Sequence, residues 1–501
     1  METDNDTTAP ADPPTGSQEV PKKPNRTPWL IGGVVVIALV TMGITALLAN
    51  IINRMYEAQE PFTQVVEIDE NTYDPAIWGQ NFPAQYESSL RTEEMGLSPT
   101  GHGGSRPVPG RNDEVDPRET IASSRLEEDP RLVDMWDGYP FSKGYHHARG
   151  HAYMLEDQRY TVRVLDFDQP GTCLNCHAST VPVMMELGEG DIDRGFEIMN
   201  QLPYREVTEF AEHPVACIDC HDPQTMELRI TRPAFERGIA NLKAHEGIED
   251  YDVNRDATRQ EMRSFVCGQC HVEYYFRSDT KELIFPWQNG LDIDDIFRST
   301  KETGHVDFVH ARTGAEVTKA QHPEFDIYWS NSIHAANGVS CVDCHMPYER
   351  EGARKVTDHH IQSPMFDVNA SCLNCHSATE QEMLDQVINI QDEFHRTRDV
   401  AFDSLILLID QLEAAINDGT ADEDAIQAAR EYQDKASFYL DYVYSENSYG
   451  FHAPAYIQRI IADSLDASRK GQLVLQGVDP SSFEPSDVTT ENRELAESRG
   501  N

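Results

Sequence analysis

The longest uninterrupted apolar run is "WLIGGVVVIALVTMGITALLAN" at residues 29–50, which carries no charge. About 20 such residues cross a bilayer as a helix, so the pattern predicts one N-terminal transmembrane helix. The apolar core of a cleaved signal is about 7–15 residues, so this run reads as an uncleaved anchor, with a cleaved signal as the alternative. The second strong pattern lies near the other end. Leu384, Val387, Ile388, Phe394, Phe402, Leu405, Leu408, Leu412 and Ile416 recur largely at steps of three and four, which predicts a long amphipathic helix. Ser377 and Glu380 have capping-box spacing, and Gly419 is a natural stop. Two further helical runs are expected from Asp422 to about Ser445 and from Ala455 to about Gln476, where Gly477 ends the last. Such stripes form core, and their length leaves room for a helix-on-helix dimer contact.

Between these patterns the chain divides by composition. Residues 1–28 are polar and Pro-rich and read as a disordered cytoplasmic tail. Residues 53–125 hold many turn formers and read as an irregular segment. Residues 126–376 read as one domain, 377–476 as a helical region and 477–501 as a mobile tail. The expected fold class is mainly α with little β. Lys22, Lys23 and Arg26 precede the apolar run and acidic sequence follows Arg54, which keeps the N-terminus cytoplasmic and turns the rest outward, to the periplasmic side.

A formal net charge of -45 argues against a nucleic-acid partner and predicts a surface that repels anions at long range. The acidity equally suits a salty medium or a docking face for a basic partner. An anionic substrate would need local cations to draw it in.

All ten cysteines fall in C-x-x-C-H motifs: Cys173, Cys176, His177; Cys217, Cys220, His221; Cys267, Cys270, His271; Cys341, Cys344, His345; and Cys372, Cys375, His376. In c-type haem attachment the two thiols bond to the haem and the histidine ligates the iron. Zinc knuckles lack the immediate histidine and disulfides need no such spacing, so five covalently attached haems are expected. Their intervals of 44, 50, 74 and 31 residues are too uneven for a repeat. Of 19 histidines, those outside the motifs are candidates for sixth ligands, and spacing alone does not choose among them. A six-coordinate haem passes electrons, whereas one with an open face can bind and reduce a substrate.

"WDGYPFSKGYHHARGHAY" (136–153), "CGQCHVEYYF" (267–276), "KAQHPE" (319–324), "TDHHIQSP" (357–364) and "HAP" (452–454) together resemble the ammonia-forming pentahaem cytochrome c nitrite reductases, over roughly residues 126–460. The resemblance implies a multihaem cytochrome c fold and a homodimer through the C-terminal helices. It also implies distal ligands His151 for the third haem, His334 for the fifth, His359 for the second and His452 for the fourth. The first haem, on His177, receives none, and its open face would be lined by Arg163, Tyr274 and His322. A calcium site is implied at the side chains of Glu273 and Gln321 and the backbone carbonyls of Tyr274 and Lys319, since oxygen ligands suit a hard cation.

Well-known members of that family carry lysine where this chain has His177, and histidine-attached members also exist. Imidazole and amine give the iron different electron density. The activity implied is six-electron reduction of nitrite to ammonium, with a quinol-oxidising membrane cytochrome as electron donor. The residues fit that chemistry: Arg163 is a permanent cation for the anion, His322 can relay protons, and Tyr274 offers a phenolic donor. The alternative is an electron-transfer cytochrome with all five haems six-coordinate, for which such a trio would have no use.

Overall fold

The computed structural model describes residues 27–59 and 64–483. Nearly all of the expected N-terminal tail, its basic cluster, and the polar tail after residue 483 lie outside the described residues. The chain divides into two units, residues 1–62 with 352–354, and residues 63–351 with 355–501.

In the first unit the apolar run forms one helix, Thr27–Gln59. Over Thr27–Asn53 its mean hydropathy is 2.5 and none of it is buried. Ile51, Ile52 and Met55 extend the apolar character past residue 50, so the helix outlasts the charge-free run.

The second unit is mainly helical, as the sequence implied. Its C-terminal part is three long helices, Glu380–Asp418, Glu423–Ser445 and Pro454–Leu475, packed on one another. The cap of the first is Thr379 with Glu382, not Ser377 with Glu380. The Thr379 hydroxyl accepts from Glu382 N at 3.2 Å while the Glu382 carboxylate accepts from Thr379 N at 2.8 Å. Glu380 is itself the first helical residue and so sits too early in the first turn to reach back to a cap. Gly419 ends this helix at φ +60°, where a side chain would be strained. The Asp422 carboxylate caps the next, accepting from Ala425 N at 2.8 Å.

Two apolar clusters organise the unit. In one, Phe402, Leu405 and Ile409 meet Tyr442, Val443, Ile457 and Ile460, together with Leu132, Trp136 and Ile296. In the other, Leu174, Phe196, Phe235, Phe265, Trp287 and Phe325 pack beside the first and third C-x-x-C-H motifs. Strands are few and short. Antiparallel ladders pair Pro107 with Ala122, Tyr275 with Ile284 and Phe308 with Val317. Residues 64–125, expected to be irregular, include two short helices, Pro75–Asn81 and Pro83–Leu90. Each has proline in its first turn, where a missing N–H costs nothing.

Leu405 is fully buried, whereas Ile248, away from the C-terminal helices, is 47% exposed. Leu405→Ala should destabilise the protein by about 2–5 kcal/mol, whereas Ile248→Ala should stay within about 0.5 kcal/mol. Thermal unfolding of the two variants side by side measures this.

Candidate active site

In a helical turn, positions i, i+3 and i+4 share one face. The C-x-x-C-H motifs use this: Leu174–His177, Cys217–Cys220 and Cys341–His345 are single helical turns, and the third motif ends the helix Arg259–Gly268. Both thiols and the imidazole of a motif thus face one side. None of the ten cysteines is in a disulfide.

The residues between the cysteines fix the motifs to one another. Arg232, 2% exposed, donates to Asn175 O at 3.0 Å and Ala178 O at 3.1 Å beside the first motif, and pairs with Asp219 of the second at 2.8 Å. Its own N–H donates to Gln269 Oε1 of the third at 3.1 Å, as does Thr231 N at 2.9 Å. Arg263 then joins the third motif's helix to the fourth motif, through Asp343 and through Ser340 Oγ at 3.2 Å. Ser371 Oγ donates to Cys344 O at 2.9 Å and so brings in the fifth.

His151, His359, His334 and His452 each face the histidine of one motif. Ring centroids are 6.2 Å apart for His151 and His271, 6.3 Å for His221 and His359, 6.3 Å for His334 and His376, and 6.2 Å for His345 and His452. A metal–imidazole bond of about 2.0 Å, with the centroid roughly 1.1 Å behind the nitrogen, puts two imidazoles across one metal about 6.2 Å apart. All four pairs therefore have the spacing of axial ligands to a single iron. Gly150, at φ +97°, turns the chain just before His151, and a Cβ there would lie 2.1 Å from Thr92 O. Burial pulls His151, His177, His221 and His345 down to about 4, which keeps them neutral, as ligation requires.

No fifth such pair forms on His177 among the described residues. Its Nδ1 faces Met154 O at 3.3 Å. His177 and its cysteines line a continuous cavity of about 1920 Å³, together with Arg163, Tyr274 and His322 and most of the other haem-motif residues. This is larger than the ~300–1,000 Å³ of a single small-molecule pocket and fits a row of large planar groups. Arg163 stands within electrostatic reach of Cys173 and Tyr274, Tyr274 of Cys176, and His322 of His271 and His177. The structure thus brings the three together around the first motif.

Each of the three has a distinct state. Arg163 spends one N–H on Gly144 O at 2.9 Å and lies over the Phe141 ring at 4.1 Å; burial lowers its pKa, but a guanidinium stays cationic. Burial pushes the Tyr274 phenol well above its usual value, so it keeps its proton. Burial, and then His271, hold the His322 imidazole well below its usual value.

Three of the residues expected at calcium, Glu273, Gln321 and Lys319, lie in contact. Glu273 is 1% exposed, so it is not a solvated surface acid. Its carboxylate accepts from Gln321 N at 2.7 Å, and the Gln321 amide lies 3.3 Å from Lys319 O. Burial pushes the Glu273 carboxyl well above the usual range, a penalty a bound cation would offset. Among the described residues no cluster of three or more His, Cys, Asp or Glu side chains forms a metal site; this one consists of one carboxylate, one amide and backbone carbonyls. The Lys319 ammonium points elsewhere, into a buried ion pair with Asp441 at 3.1 Å and over Trp136 and Phe141, each at 4.7 Å.

Several participants were not foreseen. Phe141 contacts two cations, Arg163 and Lys319, and it falls within the quoted 136–153 stretch, so a signal existed. Glu446 has its carboxylate 2.6 Å from His452 Nδ1 and is fully buried. Burial alone would lower the His452 pKa, but the Glu446 charge raises it. Glu446 and Arg232 carry no local pattern that marks them.

The sequence profile of the cytochrome c552 family matches residues 74–497. Cytochrome c-552 of Bacteroides fragilis (strain YCH46) is 33% identical over 466 residues, covering 90% of this chain and 86% of its own. The cytochrome c nitrite reductase subunit NrfA of Nitratidesulfovibrio vulgaris (strain Hildenborough) is 32% identical over 470 residues, covering 87% and 83%. Among solved structures, the catalytic subunit (NrfA) of the cytochrome c nitrite reductase of Desulfovibrio desulfuricans ATCC 27774, described with two calcium sites, aligns with a TM-score of 0.70 at 27% identity, covering 82% of this chain and 88% of that one.

The paired and unpaired imidazoles give a direct test. Replacing His151, His334, His359 or His452 by alanine should each convert one low-spin haem to high-spin, read in the visible and near-infrared spectrum, whereas His322→Ala should convert none.

Proposed function

The chain belongs to the cytochrome c552 family, and from that premise we propose that it reduces nitrite to ammonium at the haem attached through Cys173, Cys176 and His177. The observation that carries the reading is an asymmetry: four motif histidines face a second imidazole at 6.2–6.3 Å, and the fifth, His177, instead shares its surroundings with a cation, a phenol and an imidazole. When bound, the haems would relay the six electrons of the reaction from the external donor, and the one on His177 would offer its iron to the substrate.

The chain's own residues account for the rest. Arg163 supplies the positive charge that holds nitrite oxygens by charge-assisted hydrogen bonds. Phe141 beneath it fixes the plane of the guanidinium. Tyr274, protonated throughout, donates a second hydrogen bond to the substrate. His322, neutral in its buried setting, takes protons from the cavity water and passes them to the oxygens that depart as water, which needs reach and a mobile proton rather than a fixed charge. Calcium, held by Glu273 and Gln321 with the carbonyls of Tyr274 and Lys319, would join the two segments that carry Tyr274 and His322 and add positive potential beside the first motif.

The apolar helix is proposed as an uncleaved anchor in the cytoplasmic membrane, with the haem-bearing unit on the periplasmic side and a quinol-oxidising membrane cytochrome as donor. Val400, Leu407 and Leu473 are exposed on the C-terminal helices and support a homodimer through them. An electron-transfer role alone would leave Arg163, Tyr274 and His322 without a task.

Arg163→Gln should raise the KM for nitrite more than tenfold and leave the KM for neutral hydroxylamine nearly unchanged, in assays of ammonium production with reduced viologen. His322→Ala should lower kcat by about 10²–10⁴-fold at full haem content. Removing calcium with a chelator should lower nitrite turnover, and adding calcium back should restore it. Equal KM effects on both substrates of Arg163→Gln would contradict the anion-clamp role.

A further inference from the structure

Contacts between cysteines order the haem motifs in space. Cys176 of the first motif and Cys270 of the third lie within hydrogen-bonding reach of each other, as do Cys267 of the third and Cys341 of the fourth. Cys220 of the second stands in electrostatic reach of Cys270, and Cys344 of the fourth in reach of Cys372 of the fifth. The third motif is therefore a junction for the first, second and fourth, and the fourth lies between the third and the fifth.

The groups behind the axial imidazoles differ. His221, His345 and His359 turn Nδ1 to backbone carbonyl oxygens of Met226, Gln362 and Thr357, at 3.1, 2.9 and 2.8 Å. His452 instead meets the Glu446 carboxylate at 2.6 Å, with Glu446 fully buried. The other partners of that carboxylate are neutral: Ser448 N at 3.0 Å and Ser448 Oγ at 2.8 Å. Among the described residues no lysine or arginine forms an ion pair with it. The nearest parallel is Glu324, 3.9 Å from His271, and it is tied through Asn447 to Arg125.

A carboxylate behind a metal-bound imidazole makes the ligand more electron-donating, which favours the oxidised metal. In a low-dielectric interior an uncompensated charge acts strongly. We propose that Glu446, acting through His452, gives the fourth haem the lowest reduction potential of the four bis-histidine haems and so places an uphill step between the fifth haem and the third. The inference rests on the reading above only in taking His345 and His452 as ligands of one haem. Its consequence is a preferred route: electrons entering at the second haem reach the third and then the first without crossing that step, and the limb formed by the fourth and fifth haems fills last.

The test is a redox titration of the full-length holoprotein followed by EPR, on the unmodified chain and on Glu446→Gln. In the unmodified protein the last low-spin haem to be reduced should be the one whose low-spin signal is lost in His452→Ala. In Glu446→Gln that most negative midpoint should move positive while the other midpoints stay in place. An unmoved lowest midpoint would overturn the proposal, as would a last-reduced low-spin haem whose signal persists in His452→Ala, a readout that stands even where the Glu446 variant fails to mature. A nitrite-induced change at the high-spin haem, retained in both proteins, separates failure of this inference from failure of the proposed reaction.

Discussion

The buried ion pair between Arg232 and Asp219 is the contact on which the rest of the haem-bearing unit depends. Five large cofactors can share one interior only if their attachment turns are held at fixed offsets, and short helical turns have too few internal hydrogen bonds to hold themselves. Arg232 uses its rigid fork of donors on the first and second motifs, and its backbone N–H meets the third. A lysine offers no such fork. Losing either partner would strand a charge in the interior, at a cost of about 3–5 kcal/mol. Arg263 and Ser371 extend the chain of contacts to the fourth and fifth motifs, so the position of every haem traces back to polar groups lying between or beside the cysteines.

That scaffold explains how a strongly acidic chain can serve an anionic substrate. The net charge of -45 sets a repulsive field at long range, but salt screens it beyond about 8–10 Å. Inside, the balance reverses. Arg163 lies at the first motif, and the Lys319 ammonium shares the Phe141 ring with it. The Lys319–Asp441 pair ties the His322 loop to the helix Glu423–Ser445, so that loop is anchored in the C-terminal helices.

Much of this was written locally in the sequence, and what was not has a common cause. C-x-x-C-H is a five-residue pattern, the C-terminal stripes repeat every three or four residues, and His151, His359 and His452 lie in short recognisable stretches, whereas His334 lies in none of them. The helix cap was misplaced by two residues because Ser377–Glu380 and Thr379–Glu382 have the same spacing, and only the path of the chain out of the fifth motif chooses between them. Arg232, Asp441 and Arg125 act on residues 13 to 322 positions away, and no local pattern encodes such a pairing. Glu446 is only six residues from His452, yet an acid near a histidine is common at surfaces; its burial, which gives it force, is a property of the fold.

The account stands on one iron among five having a single protein ligand, on the side away from Arg163. The most direct measurement is spin-state quantitation of the resting full-length holoprotein by magnetic circular dichroism, with and without nitrite. One high-spin haem to four low-spin haems per chain is the predicted result, with nitrite altering the high-spin component alone. Five low-spin haems that ignore nitrite would contradict it and leave a protein that only conducts electrons.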